Sequence, residues 1–216
     1  VTANTENDAR GDGSAGGART RLSPEQRRSQ LLDLGVRLLA HRSLDELSID
    51  LLAEEAGISR GLLYHYFGNK HAFHEAVVRR AADDLIAQTA PPVEGEPLER
   101  LLVSTTAYLD YVEANFEGYL SLVKGAAGGN DTLREIYEEA RSALTDRIFR
   151  EDAQGGILPD TAASRLVVRG WAAMTEELVL TWVQDPGGVS REELVAMIAG
   201  ALPALVATLP GSAGER

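Results

Sequence analysis

The chain has no cysteine, so it forms no disulfide, offers no thiolate to a metal and holds no cysteine nucleophile. Aromatic residues are scarce, 6% of 216 residues with two tryptophans, so a place where several of them gather carries information. No apolar run approaches the ~20 residues of a membrane-spanning helix, and the opening residues are polar rather than arranged as a secretory signal. The expected location is therefore cytoplasmic, with no membrane partner. No segment sustains an apolar/polar alternation between turn signals, so strands are not expected and the chain reads as all-α. Internal repeats are absent as well. Positive charge is also short: 21 Lys and Arg stand against 33 Asp and Glu, a net of −12.

What is present is an ordinary globular composition, 44% hydrophobic and 25% charged, on a chain long enough for one or two domains with a real core. The acidity is unevenly spread. Residues 1–70 carry 9 basic and 10 acidic side chains, whereas residues 71–216 carry 12 and 23. The nearly neutral N-terminal part contains the most informative stretch, Ser48 to Lys70.

That stretch reads as a short helix, a glycine turn and a second short helix. Ser48 precedes the first apolar run and can accept from a backbone N–H near Leu51. Leu51, Leu52 and Ala56 give that helix an apolar face, and Asp50 and Glu54 a polar one. Gly57 stands where the chain must reverse, which suits positive φ. Ser59 caps the next helix, whose Leu63 and Phe67 lie at i and i+4 on its inner side. Arg60, Gly61, Leu62, Tyr64, His65 and Tyr66 are left for the outside or the flanks. Such a set suits a DNA groove: Arg60 for guanine or phosphate, Leu62 for a thymine methyl, and Gly61 for close backbone approach. Tyr64, His65 and Tyr66 can donate to phosphate oxygens, and Lys70 opens a further helix whose N-terminus also attracts phosphate.

Residues from about Ser23 to Phe73 resemble the DNA-binding domain of the TetR family of transcriptional regulators. The densest match runs from Ile49 to Lys70. The resemblance implies phosphate contacts from Ser48, Ser59, Tyr64, Tyr66 and Lys70, and places Arg60, Gly61, Leu62 and His65 at or near base edges. Two departures stand out. The family often has glycine near Ser43, and a threonine or another small residue is common at Leu62, a difference that bears on operator identity.

Residues 1–22 are small, polar and without periodicity, and read as a disordered arm in which Arg19 and Arg21 are candidate minor-groove contacts. Ser23-Pro24-Glu25-Gln26 is a capping box opening a helix near 24–41. Gly35 inside its apolar stripe marks a close helix crossing. With helices at 48–56 and 60–67 this makes a three-helix domain over residues 23–69. A second helical domain covers residues 70–209, with helices near 70–88, 97–114, 117–125, 131–154, 160–184 and 190–209, and a tail at 210–216. Pro91-Pro92 ends the first of these, Asp131 and Asp160 are candidate caps, and Ser190 with Glu193 makes another capping box. Pro203 is expected to kink or break the last helix.

One recognition helix reads few bases, so useful specificity needs two copies on a near-palindromic operator. The resemblance implies that the last two helices pair across a two-fold axis, and the apolar residues Val167, Leu178, Trp182, Leu194, Met197, Ile198, Ala201 and Leu205 are the expected homodimer contacts. The middle helices gather Tyr108, Tyr111, Phe116, Tyr119 and Tyr137, with Trp171 and Met174 opposite. Apolar walls with a few phenols suit a small organic effector, and Glu177 is the candidate partner of a cationic one. Plain core packing with hydroxyls at the surface is the other reading of these aromatics.

Chemistry is not expected. His71, His74 and Glu75 have a metal-like spacing but read as a surface cluster. Gly125-Ala-Ala-Gly-Gly129 lacks the lysine and hydroxyl of a phosphate loop. Asp110, Glu113 and Glu117 form a solvated face. The expected protein is a ligand-released, homodimeric DNA-binding repressor without cofactor. The alternatives are a regulator of the same fold without an effector and a small all-α enzyme.

Overall fold

The computed structural model of the protein describes residues 23–150, the last of them by backbone alone, and residues 158–209. The expected arm at 1–22, the tail at 210–216 and the end of the helix expected to run to residue 154 lie outside the described residues. Among the described residues there are nine α-helices and no strand: α1 Pro24–Leu39, α2 Ile49–Ala56, α3 Arg60–Phe67, α4 Lys70–Gln88, α5 Pro97–Ala114, α6 Phe116–Ala127, α7 Asp131–Arg150, α8 Ala162–Gln184 and α9 Arg191–Val206. None is long and apolar enough to cross a membrane.

Most helix starts are closed by side-chain caps; those of α5 and α6 are not. Ser23 and Gln26 close a reciprocal box at α1, and Ser190 and Glu193 another at α9. Ser48 Oγ accepts from Leu51 N at 3.0 Å, and Ser59 Oγ from Leu62 N at 3.3 Å. Between them Gly57 takes φ 62°, and Ile58 N returns to Ala53 O at 3.0 Å, which ends α2 and turns the chain into α3. Two expected caps are corrected. Asn130, not Asp131, caps α7 by accepting from Leu133 N at 3.0 Å, while Asp131 pairs with Arg134 in the first turn. Thr161, not Asp160, caps α8 by accepting from Ser164 N at 3.1 Å, and Asp160 instead binds Arg165. Helix α9 runs on through Pro203 for another turn rather than breaking there.

Two cores result. The first joins Leu31, Leu52, Leu63 and Phe67 to Phe73, Val77 and Val78 of α4, and continues into Leu122 of α6 and Leu133, Ile136 and Ala140 of α7. The break expected at residue 69 is therefore no seam in the packing, because α4 buries one side against α1 and another against α7. The second core gathers Leu109 and Val112 of α5, Val168, Trp171 and Val179 of α8, and Leu194, Ile198 and Leu202 of α9. Leu194 and Ile198 were expected on a subunit interface; they are 2% and 0% exposed, inside the subunit. Trp171 Nε1 donates to Ile198 O at 2.8 Å, and Trp182 Nε1 to Val189 O at 2.8 Å, fastening α8 to the last segment twice.

Helix α1 crosses α4 at Gly35, as its place in an apolar stripe indicated. A Cβ there would lie 2.7 Å from Val77 Cγ2, and Val77 is fully buried with nowhere to retreat. Gly35→Ala gains helix propensity of about 1 kcal/mol yet overpacks the crossing by about 1–3 kcal/mol. The expected net result is a lower urea midpoint at unchanged slope, read by circular dichroism.

Candidate nucleic-acid interface and ligand cavity

Helix α3 turns Leu63 and Phe67 inward, at 0% and 6% exposure, and leaves Arg60, Gly61, Tyr64 and His65 exposed. Leu62 is half-buried, and Tyr66 is partly buried against the first core with its ring edge-on to His65. A Cβ on Gly61 would meet nothing nearer than Ser59 Oγ at 3.9 Å, so the surface is open there. The capping serines spend a lone pair on the helix and keep their O–H to donate to an incoming phosphate. Lys70 stands exposed at the first position of α4, which Asn69 caps by accepting from Ala72 N at 2.8 Å. Sequence reasoning passed over Asn69 and a second detail: Arg60 is ion-paired with Asp50 of α2. Both side chains are exposed, so water holds that pair weakly.

A second feature is a cavity of about 550 Å³ between α5, α7, α8 and α9, bounded by the Thr89–Pro91 turn after α4. Its wall is mostly aliphatic, with Leu98, Leu101, Leu144, Ile148, Leu202 and Val206 prominent. Of the expected effector residues, Tyr108 and Trp171 line it; Tyr111, Phe116, Tyr119, Tyr137, Met174 and Glu177 do not. Tyr111 turns instead to α4, donating to Ala81 O at 2.7 Å. Phe116 and Met174 pack against the second core. Glu177 is exposed; one residue is about 100° of helix rotation, and the carboxylate that faces inward is that of Glu176.

Glu176 collects the remaining phenols. Tyr119 Oη donates to its Oε2 at 2.9 Å and Tyr137 Oη to its Oε1 at 2.8 Å. Arg141 Nη1 donates to Tyr137 Oη at 2.9 Å, and Tyr108 Oη meets Tyr119 Oη at 2.8 Å. Burial pushes the Tyr108 and Tyr119 phenols well above their ordinary range. It pushes Tyr137 up to about 12, with help from the bond to Glu176. All three are protonated donors at neutral pH.

The cavity wall also holds the end of α4. Ser104 Oγ donates to Thr89 O at 2.7 Å, Thr89 Oγ1 to Leu85 O at 2.7 Å, and Arg147 to Ile86 O. At its other end α4 follows directly on the recognition helix. Between these ends, Leu44 N donates to Ser121 Oγ at 3.2 Å, tying the α1–α2 turn to α6. His74 is half-buried with its Nε2 on Leu47 O at 2.5 Å; burial lowers its pKa, and the carbonyl, which can only accept, requires the hydrogen on Nε2. No group among the described residues is arranged to hold a metal ion.

On the outer side of α8 and α9, Leu166 is 72% exposed, Met197 50% and Leu205 38%. Val167, Leu178, Trp182 and Ala201 are partly buried within the subunit. Gly170 and Gly200 leave open space beside this face. Leu166 had not been expected there.

Comparison with known proteins matches residues 31–77 to the model described as bacterial regulatory proteins, tetR family, and residues 97–202 to the tetracyclin repressor-like C-terminal domain. A solved tetR-family transcriptional regulator from Streptomyces coelicolor is 35% identical, with a TM-score of 0.75 over 85% of this chain and 82% of that one. The HTH-type transcriptional activator FasR of Mycolicibacterium smegmatis is 24% identical over 84% of each chain. The HTH-type transcriptional repressor KstR2 of the same organism is 25% identical over 81% of this chain and 88% of its own.

The phenol cluster depends on one carboxylate. Glu176→Leu leaves the buried hydroxyls of Tyr119 and Tyr137 without their acceptor and is expected to cost about 2 kcal/mol or more. Glu176→Gln, which keeps one acceptor oxygen, is expected to cost less; urea unfolding of the two variants side by side checks the order.

Proposed function

The chain belongs to the TetR family of bacterial transcriptional regulators, and from that premise we propose that it is a homodimeric repressor released from its operator by a small organic molecule. It binds DNA through a helix-turn-helix and acts by binding, not by catalysis. Its expected contacts are phosphates for Ser48, Ser59, Tyr64, Tyr66 and Lys70, and base edges for Arg60, Gly61, Leu62 and His65. The −11 net charge beyond residue 70 is tolerable if it stands more than a Debye length, ~10 Å, from the duplex.

The observation that carries the effector reading is the open, mainly aliphatic cavity whose wall bonds directly to the end of α4. A molecule inside it meets Ser104, Thr89 or Arg147 before anything else attached to that helix. A shift there is passed to Lys70 and α3 by the single rigid length of α4. The two heads of a dimer would then change their separation, which must match major grooves about 34–36 Å apart or a multiple of that distance. The effector works only by binding the released spacing more tightly than the DNA-bound one. An effector-free regulator would be supported by a filled second core, which a cavity of about 550 Å³ argues against. For the dimer, the exposed side chains of Leu166, Met197 and Leu205 and the open ground at Gly170 and Gly200 support pairing through the outer side of α8 and α9.

Binding of the purified chain to its own promoter-region DNA across a salt series is the test. Affinity is expected to fall linearly on a log–log plot with salt, and the Tyr64→Ala/Lys70→Ala pair is expected to lose about tenfold or more. Unchanged binding in the double variant would refute the assigned recognition surface. Met197→Glu is expected to shift the chain from dimer to monomer in sedimentation and to weaken operator binding with it. A dimer that survives would place the two-fold contact elsewhere.

A further inference from the structure

Two side chains of opposite charge meet across the turn of the helix-turn-helix. Arg60, at the first position of α3, is ion-paired through Nε with Asp50 Oδ1, at the second position of α2. A carboxylate is unwelcome on a surface that is to meet phosphates, and α2 does not need this one for its cap. Ser48 already accepts there from Leu51 N at 3.0 Å. An acid in the first turn suits the helix dipole, but the dipole asks for no partner on α3.

An arginine can serve DNA as a charge on a phosphate or as a fork on guanine O6 and N7. Asp50 separates these two uses. The pair is neutral as a unit, so it offers a phosphate little attraction, and a phosphate brought to Arg60 also approaches the carboxylate. The hydrogen bonds that guanine needs are kept. The guanidinium is planar with its N–H groups along fixed edges: a contact through Nε takes one edge, and the two terminal nitrogens form another. Pinning Nε also orients a side chain that would otherwise lose much rotamer freedom on docking. Arg60 remains 67% exposed in the pair, and Gly61 beside it has no side chain, so a base edge can come close. In water such a pair is weak; where a base pair displaces the water, the same charges attract more strongly.

Resting on the reading of α3 as the recognition helix, we propose that Asp50 determines specificity by positioning Arg60: it holds the guanidinium to a guanine of the operator and keeps it off the phosphates. Asp50 touches no base itself and acts through Arg60.

The test is selection of duplexes from a random-sequence library by the whole chain, followed by salt titrations on a selected duplex and on a scrambled one. The wild type is expected to select a guanine in each half-site. Arg60→Ala is expected to lose that preference, by about tenfold or more, with its salt slope nearly unchanged. Asp50→Asn keeps the shape without the charge. It is expected to flatten the preference at the same position, to bind scrambled DNA about threefold or more tighter, and to steepen the salt slope by about one, as one added phosphate contact does. Adding Arg60→Ala to Asp50→Asn is expected to remove that extra slope, which mere loss of a negative charge would leave in place. Asp50→Glu, which retains the charge, is expected to keep the shallow slope. If Asp50 serves only the stability of α2, Asp50→Asn lowers the urea midpoint and leaves base preference and slope at their wild-type values; that result would overturn this role. So would a slope that falls by about one on Arg60→Ala alone, since Arg60 would then lie on a phosphate. A wild type that selects no sequence at all would refute the recognition helix itself, and the role of Asp50 with it.

Discussion

Everything in this molecule hangs on the burial of α4 along two sides. Phe73 and Val77, both fully buried, close the small domain from below, while Leu133, Ile136 and Ala140 extend the same core upward through α7. A 19-residue helix spans the distance that separates the helix-turn-helix from the cavity beside Thr89. Its side chains interlock with α1 at Gly35 and with α7 beyond, so one continuous packing holds both of its ends.

The acidity of the chain makes sense in the same frame. A helix-turn-helix on a nearly neutral domain has few cations with which to hold unspecific DNA, and one of them, Arg60, is engaged by Asp50. On the proposed recognition surface, the hydroxyls of Ser48, Ser59, Tyr64 and Tyr66 would add contacts that need groove geometry to form, which would favour specific docking over loose attraction.

The sequence was most readable where a local rule suffices. Serine caps, the reversal at Gly57, the inward pair Leu63 and Phe67 and the close crossing at Gly35 all depend on neighbours a few residues away or on the lack of a side chain, and all are found. It was least readable where the partner is distant. Whether Glu176 or Glu177 faces the phenols depends on the rotation of α8, which packing against α5, α7 and α9 sets. Leu194 and Ile198 belong to an apolar stripe wider than one interface, and the positions of α5 and α8 decide which part of it is inside. Tyr108 and Tyr111 stand three residues apart, a spacing that puts them near one helix face, yet one borders the cavity and the other reaches Ala81 on α4. The void itself has no local signature, because it is the space left when four helices meet.

Both tryptophans of the chain bond the same way, each indole N–H reaching from α8 to a backbone carbonyl of the segment that ends in α9. With no third indole in 216 residues, the tryptophan emission of the protein comes wholly from α8. One chromophore borders the cavity and the other lies at the far end of the same helix. Emission excited selectively at the indoles therefore reports the surroundings of α8, the seating of the last helix and the cavity beside Trp171, without any label and without the tyrosines of the DNA-binding end.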